Sequence, residues 1–282
     1  MRIDLHCHST ASDGTSSPAE LVAEAATAGL DVMALTDHDT TSGWSAAIAA
    51  RPAGLTLVPG AELSCRWHGG PWPISLHLLA YLFDPSDAAL AGELARIRAS
   101  RETRAERMVH LMRADGIDVT WAEVLEHAEG GTVGRPHLAQ ALIRRGLVDT
   151  VSEAFLPEWL GHRYRVGKED LDVFVALRLV IEAGGVPVFA HPRASTRGPV
   201  VPDVVIEEMA DEGLFGLEAD HTDHTPQERA HVRALAGRLG LVVTGSSDYH
   251  GTNKTVRLGA RTTTPEALER IVEAATGTSV IA

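Results

Sequence analysis

The chain has 282 residues, 44% hydrophobic and 22% charged, a profile that excludes disorder, collagen and coiled coil. A formal charge of −13 disfavours a general nucleic-acid binder, and two cysteines, Cys7 and Cys65, are too few for a disulfide framework or a cysteine zinc cluster. No signal-like segment follows Met1 and no run approaches bilayer-spanning length, so a reduced, cytoplasmic protein is expected.

In chain order, the short apolar runs Ile3–Cys7, Val32–Thr36, Thr56–Pro59, Leu76–Leu82, Val186–Ala190, Leu214–Glu218 and Leu241–Thr244 predict buried parallel strands. Helical patterns separate them. Ser17-Pro18-Ala19-Glu20 combines an N-cap, a first-turn proline and a capping-box glutamate, and Gly29 closes that helix. Thr225-Pro226-Gln227-Glu228 repeats the device and Thr264-Pro265-Glu266 nearly does. Strands alternating with helices predict a closed parallel α/β barrel, with a doubly wound open sheet as the alternative.

One segment breaks the alternation. Residues 87–166 carry helical patterns without a strand: a long helix through Leu94, Ile97, Met108, Leu111 and Met112, then Trp121–Ala128, Pro136–Arg145 and Ser152–Leu160. This predicts an all-helical cap subdomain inserted into a barrel formed by residues 1–86 and 167–282. The arginines Arg96, Arg98, Arg101, Arg104, Arg107 and Arg113 read as a solvated helix face paired with Glu93, Glu102 and Glu106.

The histidines number fourteen, and many follow strands. His6 and His8 come after the first strand, His38 after the second, Glu62 at the end of the third and His77 within the fourth. His191 closes the fifth run, and Asp248 and His250 follow the last. Residues past the carboxyl ends of barrel strands share one mouth. In His6-Cys7-His8 the two imidazoles share a strand face while Cys7 points away into packing. So many imidazoles and carboxylates together are costly to bury unless cations offset them. A set of His and carboxylate ligands without thiolate suits Mn²⁺, Fe²⁺ or Zn²⁺.

The motifs IDLHCHSTASDGT, LTDHDT, GAELS, ISLHLLAY, VFAHP and GSSDYHG resemble the PHP (polymerase and histidinol phosphatase) metal-dependent phosphoesterases. GRPHLAQALIRRG and FLPEWLG are similar to the helical domain of a nucleotide-phosphatase branch. The resemblance implies a distorted seven-stranded TIM-like (β/α) barrel holding two or three divalent ions. It implies a first ion on His6, His8, Glu62 and Asp248, a second on Glu62, His77 and His191, and a third on Asp13, His38 and His250. It further implies phosphate monoesters of small nucleotides as substrates: nucleoside 3′,5′-bisphosphates, or the 5′ ends of very short oligonucleotides. Attack by a hydroxide held between paired ions is the expected chemistry. His191, His250 and Asp248 are the candidate catalytic residues.

Arg135 and His137 in the cap and Arg193 after His191 are candidate phosphate contacts. Asp37 or Asp39 is expected to orient a histidine. Glu218 is a weaker candidate for a substrate hydrogen bond. His221 and His224 read as loop residues, and His68, His110, His127, His162 and His231 as surface or helix-face residues. A barrel amidohydrolase cleaving C–N bonds is one rival, but the chain's lysines, Lys168 and Lys254, lie outside strand runs and Glu62 fits the bridging role. A non-catalytic metal-binding PHP domain is the other.

Overall fold

Apolar runs too short for helices and rich in Val, Leu and Ile form the sheet. The computed structural model describes residues 1–167 and 169–282; Lys168 lies outside the described residues. The strands are β1 (Ile3–Cys7), β2 (Val32–Leu35), β3 (Thr56–Trp67), β4 (Ile74–Tyr81), β5 (Leu171–Asp172), β6 (Val186–Phe189), β7 (Gly216–Asp220) and β8 (Val242–Gly245). Their order in the sheet is β1-β2-β3-β4-β6-β7-β8, with the two-residue β5 added beside β3. Beyond β8 the chain folds back on β1: Tyr249 N donates to His6 O (3.3 Å) and His8 N donates to Tyr249 O (2.9 Å). The sheet is thereby a nearly closed, TIM-like barrel.

Two expectations about the strands are corrected. β3 runs on to Trp67 rather than stopping at Pro59, and β4 is antiparallel to both β3 and β6. Pro59 is the last residue paired with β2 and Gly60 the first paired with β4, so the missing N–H falls where the strand changes partners. A Cβ on Gly60 would lie 3.0 Å from Ala80 O, so this close crossing favours glycine. The short connection between Trp67 and Ile74 can only return the chain antiparallel.

The helices are α1 (Pro18–Thr27), α2 (Trp44–Ala50), α3 (Ala88–Ala114), α4 (Trp121–Ala128), α5 (Arg135–Arg144), α6 (Val151–Ala154), α7 (Val173–Glu182), α8 (Asp203–Asp211), α9 (Pro226–Leu239) and α10 (Pro265–Ala274). Capping boxes at Ser17/Glu20 and Thr225/Glu228 start α1 and α9, and Thr264 caps α10. α6 is a single turn, shorter than the Ser152–Leu160 helix expected.

Most of the barrel's apolar surface is buried between strands and surrounding helices in a cluster that includes Leu21, Val22, Met33, Leu35, Leu57, Leu177 and Ile206. A second cluster joins Ile3, Leu5, Val32, Ala34, Val58, Leu79 and Tyr81 to Ala267, Leu268 and Ile271 of α10. Helices α3–α6 gather their own cluster around Met108, Met112, Val124, Leu138, Leu142 and Leu160. The division falls inside α3: Leu90, Leu94 and Ile97 pack with the barrel, whereas Ala105 onward packs with the other helices. Among the described residues no helix is long and apolar enough to cross a membrane.

Candidate metal centre

The strand ends deliver imidazoles and carboxylates to one end of the barrel. His6 and His8 are fully buried, and Cys7 between them packs with Leu21, Val22 and Met33 rather than joining them. His6 Nε2 lies 3.1 Å from Glu62 Oε2 and 3.5 Å from Asp248 Oδ1. His8 Nε2 lies 3.1 Å from Glu62 Oε2 and 3.4 Å from Asp248 Oδ1. Neither nitrogen makes a hydrogen bond despite these distances, so their lone pairs and the carboxylate oxygens aim at a common point rather than at one another.

Glu62 faces two ways. Its Oε2 also has His38 Nδ1 at 3.3 Å, while Oε1 has His77 Nδ1 at 2.7 Å and His191 Nε2 at 3.1 Å. A further group forms around Asp13: Oδ1 is 3.3 Å from His250 Nε2 and 3.7 Å from His8 Nδ1, and Oδ2 is 3.7 Å from His38 Nε2. Three sets can therefore each surround an ion: His6, His8, Glu62 and Asp248; His38, Glu62 and His77; and His8, Asp13, His38 and His250. His8 and His38 each stand in two of them, as Glu62 does, whereas the implied partition shares Glu62 alone. His191 approaches through Glu62.

Second contacts fix which ring nitrogens face inward. Glu218, expected as a weak substrate contact, is wholly buried; its Oε1 accepts from His6 Nδ1 (3.0 Å) and Ser246 Oγ, and Oε2 accepts from His191 N (2.8 Å). A carboxylate there holds the proton on Nδ1 and leaves His6 Nε2 free as a ligand atom. His250 Nδ1 likewise donates to Asp248 O (2.9 Å), turning Nε2 toward Asp13. His191 and Asp248 hold left-handed φ of +33° and +55°, conformations that cost non-glycine residues energy and collect at functional sites.

The charge balance is that of a cation site. Burial would raise the Glu62 carboxyl, but His77, His6 and His38 hold it well below the usual carboxylate range. Burial opposes Asp248 in the same way, yet Lys254, His6 and Arg197 keep it ionised. Burial disfavours protonated His8, but Asp248 and Glu62 lift it to about 9. Without metal, protons on His6 and His8 supply the positive charge that the carboxylates demand.

Several residues sit elsewhere than expected. Arg193 spends its guanidinium on Val201 O (2.6 Å), Pro192 O (3.2 Å) and Asp203, not on the mouth. Arg197, farther along the same loop, donates to Asp248 Oδ2 (2.6 Å), where Lys254 Nζ (2.7 Å) and His221 Nε2 (3.3 Å) also converge. His221 is thus part of the site rather than a loop residue. His137 caps its own helix through one ring nitrogen, Nδ1 accepting from Gly134 N (2.9 Å). Asp37 binds Ser9 N (2.8 Å) and Ser12 Oγ (2.6 Å), and through that hydroxyl, 3.4 Å from His8 Nδ1, it bears on a histidine indirectly; Asp39 binds Ser64 N (2.7 Å) and Arg101 Nε (2.7 Å). His224 bridges Ala219 O (2.8 Å) and Arg193 N (3.1 Å). His68, His110, His162 and His231 are exposed, and His127 is half-buried.

The arginine-rich face of α3 is not uniformly solvated. Arg96 pairs with Glu93 (2.8 Å) as expected, but Arg101 and Arg104 are buried, and Arg98 donates to Asp39 O (2.6 Å). Arg135 lies over the Phe155 ring, 4.8 Å from its centroid. The loop before it approaches the mouth: Thr132 N donates to Ala11 O (2.8 Å), and a Cβ on Gly134 would lie 3.7 Å from Asp13 Oδ2.

Known proteins resemble this chain in sequence and fold. A family model for the PHP domain matches residues 4–117. A 5′-3′ exoribonuclease of Haemophilus influenzae is 34% identical over 253 residues, covering 88% of this chain and 90% of the relative. The chain belongs to the PHP family. A 3′,5′-nucleoside bisphosphate phosphatase of Chromobacterium violaceum is 31% identical over 257 residues, 88% of this chain and 87% of that one. Among solved structures, a chain from Bifidobacterium adolescentis, nominally a metal-dependent phosphoesterase, superposes on the PHP chain with a TM-score of 0.92 at 35% identity. That match covers 97% of this chain and 96% of its counterpart.

Proposed function

We propose that this PHP chain is a metal-dependent hydrolase of phosphate monoesters on small nucleotides, with nucleoside 3′,5′-bisphosphates or the 5′ ends of very short oligonucleotides as its substrates. The observation that carries the reading is Glu62, whose two oxygens each face unpaired imidazole nitrogens of a different set. Buried nitrogens and oxygens that converge without hydrogen bonding fit divalent ions, and the absence of thiolate suits Mn²⁺, Fe²⁺ or Zn²⁺. His6, His8, Glu62 and Asp248 would hold one ion, Glu62 with His77, His38 and His191 a second, and Asp13, His38 and His250 a third. When bound, such ions supply Lewis acidity toward phosphoryl oxygens and lower the pKa of an attacking water.

The remaining work falls to the chain. Glu218 keeps His6 in the ligand tautomer. Arg197 and Lys254 neutralise the outer oxygen of Asp248 and add positive charge beside the place where a phosphate would sit. Burial holds His191 and His250, the expected proton donors, in the neutral form, which suits ion ligands rather than acids. Residues 87–166, taken as a cap, bring Arg135 and its neighbours over the mouth and restrict access to short substrates.

Phosphate release from adenosine 3′,5′-bisphosphate and from AMP, with metal content measured on the same sample, tests the reading. Release that needs Mn²⁺ and stops with chelator is the expected result. No release from any nucleotide by protein carrying bound metal would overturn it and direct attention to amides.

A further inference from the structure

Asp13 differs from the other carboxylates of the centre in how it is held. Glu62 lies within β3 and Asp248 just past β8, whereas Asp13 lies in a loop well beyond the end of β1. That loop turns back on itself, with Ser12 N and Gly14 N both donating to Ser9 O (3.0 Å each). Two other segments enclose it. On one side Thr132 N, from the helical segment, donates to Ala11 O (2.8 Å), and a Cβ on Gly131 would lie 2.2 Å from Thr10 O. On the other side the chain after His250 presses in, Thr252 N donating to Thr15 Oγ1 (2.9 Å). Gly251, at φ +64°, has no room for a Cβ there, because one would run into Thr15 Oγ1.

A pair of side-chain amides ties the two enclosing segments to each other and to Asp13. Asn253 Nδ2 donates to Asp13 O (2.9 Å), and Gln140 Nε2 of α5 donates to Asn253 Oδ1 (2.5 Å). The direction of this relay is fixed at its end. A carbonyl oxygen can only accept, so Asn253 must turn its NH₂ to Asp13 and offer its own oxygen to Gln140. Both amides are partly buried, where a hydrogen bond is stronger than in open water. Asn253 N also donates to His250 O (3.4 Å). The relay from α5 thus reaches both Asp13 and His250, whose side chains face each other at 3.3 Å in the set with His8 and His38.

We propose that Gln140 and Asn253 are positioning residues for Asp13 and His250, and that they make an ion on that set depend on how the helical segment is seated. This rests on the third ion of the reading above. Glu62 and His77 lie inside strands, whose ladders hold them without help from α5. The relay therefore acts on one ion and leaves those on the Glu62 sets unchanged. Linkage runs both ways: an ion bound there seats the helical segment by the same free energy with which the seated segment holds the ion.

The test is Mn²⁺ titration against a competing chelator, using wild type, Gln140→Met, Asn253→Ala and, as a reference, Asp13→Ala. Gln140→Met keeps the side chain's bulk and helix propensity while removing the donor, so it carries little folding risk. Asp13→Ala marks the binding step that belongs to this set. That step weakens about 10-fold in Gln140→Met and about 10- to 100-fold in Asn253→Ala, the range for an outer contact to a metal ligand. The other steps and the melting temperature of metal-free protein stay at wild-type values. The double variant binds no worse than Asn253→Ala, because Gln140 acts through Asn253. An unchanged step in Gln140→Met overturns the proposal. Equal weakening of every step with a lower melting temperature also overturns it, because that marks a purely structural role. Hydrogen exchange of the metal-free protein separates these failures from the lack of a third ion. If Asp13→Ala removes no binding step, faster exchange of the Ser12 and Gly14 amides in Gln140→Met still upholds the positioning, and unchanged exchange refutes it.

Discussion

Glu218→Gln is the sharpest probe of how the fold sets up the metal centre, because it changes one buried oxygen to an NH₂ group with little change in shape. The carboxylate accepts three hydrogen bonds, from His6 Nδ1, Ser246 Oγ and His191 N. An amide cannot accept all three. With its oxygen in the Oε1 position, its NH₂ meets the His191 N–H, and two buried donors oppose each other. With the amide reversed, NH₂ meets His6 Nδ1, which must become the acceptor and move its proton to Nε2. That nitrogen is the one aimed at Glu62 and Asp248, and a protonated Nε2 cannot bind a metal. A buried donor left unpaired costs about 1–3 kcal/mol. The melting temperature should therefore fall by roughly 2–4 °C per kcal/mol for a chain near this size. Loss of an outer contact to a metal-binding histidine weakens metal affinity about 10–100-fold. The assay is Mn²⁺ titration against a competing chelator, with thermal melting of the metal-free protein alongside. A variant with wild-type Mn²⁺ affinity and an unchanged melting temperature would refute the argument that Glu218 sets the His6 tautomer.

Removing a ligand outright is more severe: His8→Ala or Asp248→Ala should lower metal content and turnover together, and full metal with full activity in either would contradict the assignment. Metal uptake should depend on pH with a definite sign. The folded-state value of His8 is raised from 6.5 to about 9, so its stabilising contribution in metal-free protein is complete below 6.5 and is lost as pH rises through about 9. Mn²⁺ must expel that proton, so apparent affinity should rise with pH over the same interval; isothermal titration in buffers of different ionisation enthalpy would show the released proton, and a flat profile would count against it. In the helical segment, Leu138→Ala opens a cavity in a fully buried position and should cost about 2–5 kcal/mol. Denaturant unfolding measures the loss, and a change below 1 kcal/mol would show that the cluster around Leu138 repacks freely.

The ligand-bearing residues were legible because metal chemistry restricts the side chains, and a barrel restricts where they fall. His6, His8, His38, His191, Asp248 and His250 stand at or just beyond strand ends, where a periodicity reading already puts them, whereas Glu62 lies inside the longer β3. The partners of those residues were less so. Arg193 and Arg197 follow His191 in one loop, and nothing in their local sequence tells which guanidinium reaches Asp248 and which turns to Asp203. Glu218 sits on a strand like any buried carboxylate until its three donors, from β1, the His191 loop and the end of β8, are seen together. Pro59-Gly60 read locally as a strand end, whereas the strand crosses it where its partner changes from β2 to β4.

The sequence by itself determined the alternation of strands and helices, the helical segment, and the imidazole and carboxylate positions that a cation would need. These depend on local periodicity, caps and residue chemistry, which act over a few positions. Only the tertiary structure decided the antiparallel β4, the double-sided role of Glu62, the turn of His6 by Glu218 and the burial of Arg104. Each of those depends on what a distant segment places opposite a side chain, and the energy of a buried charge is set by that neighbour rather than by the residue itself.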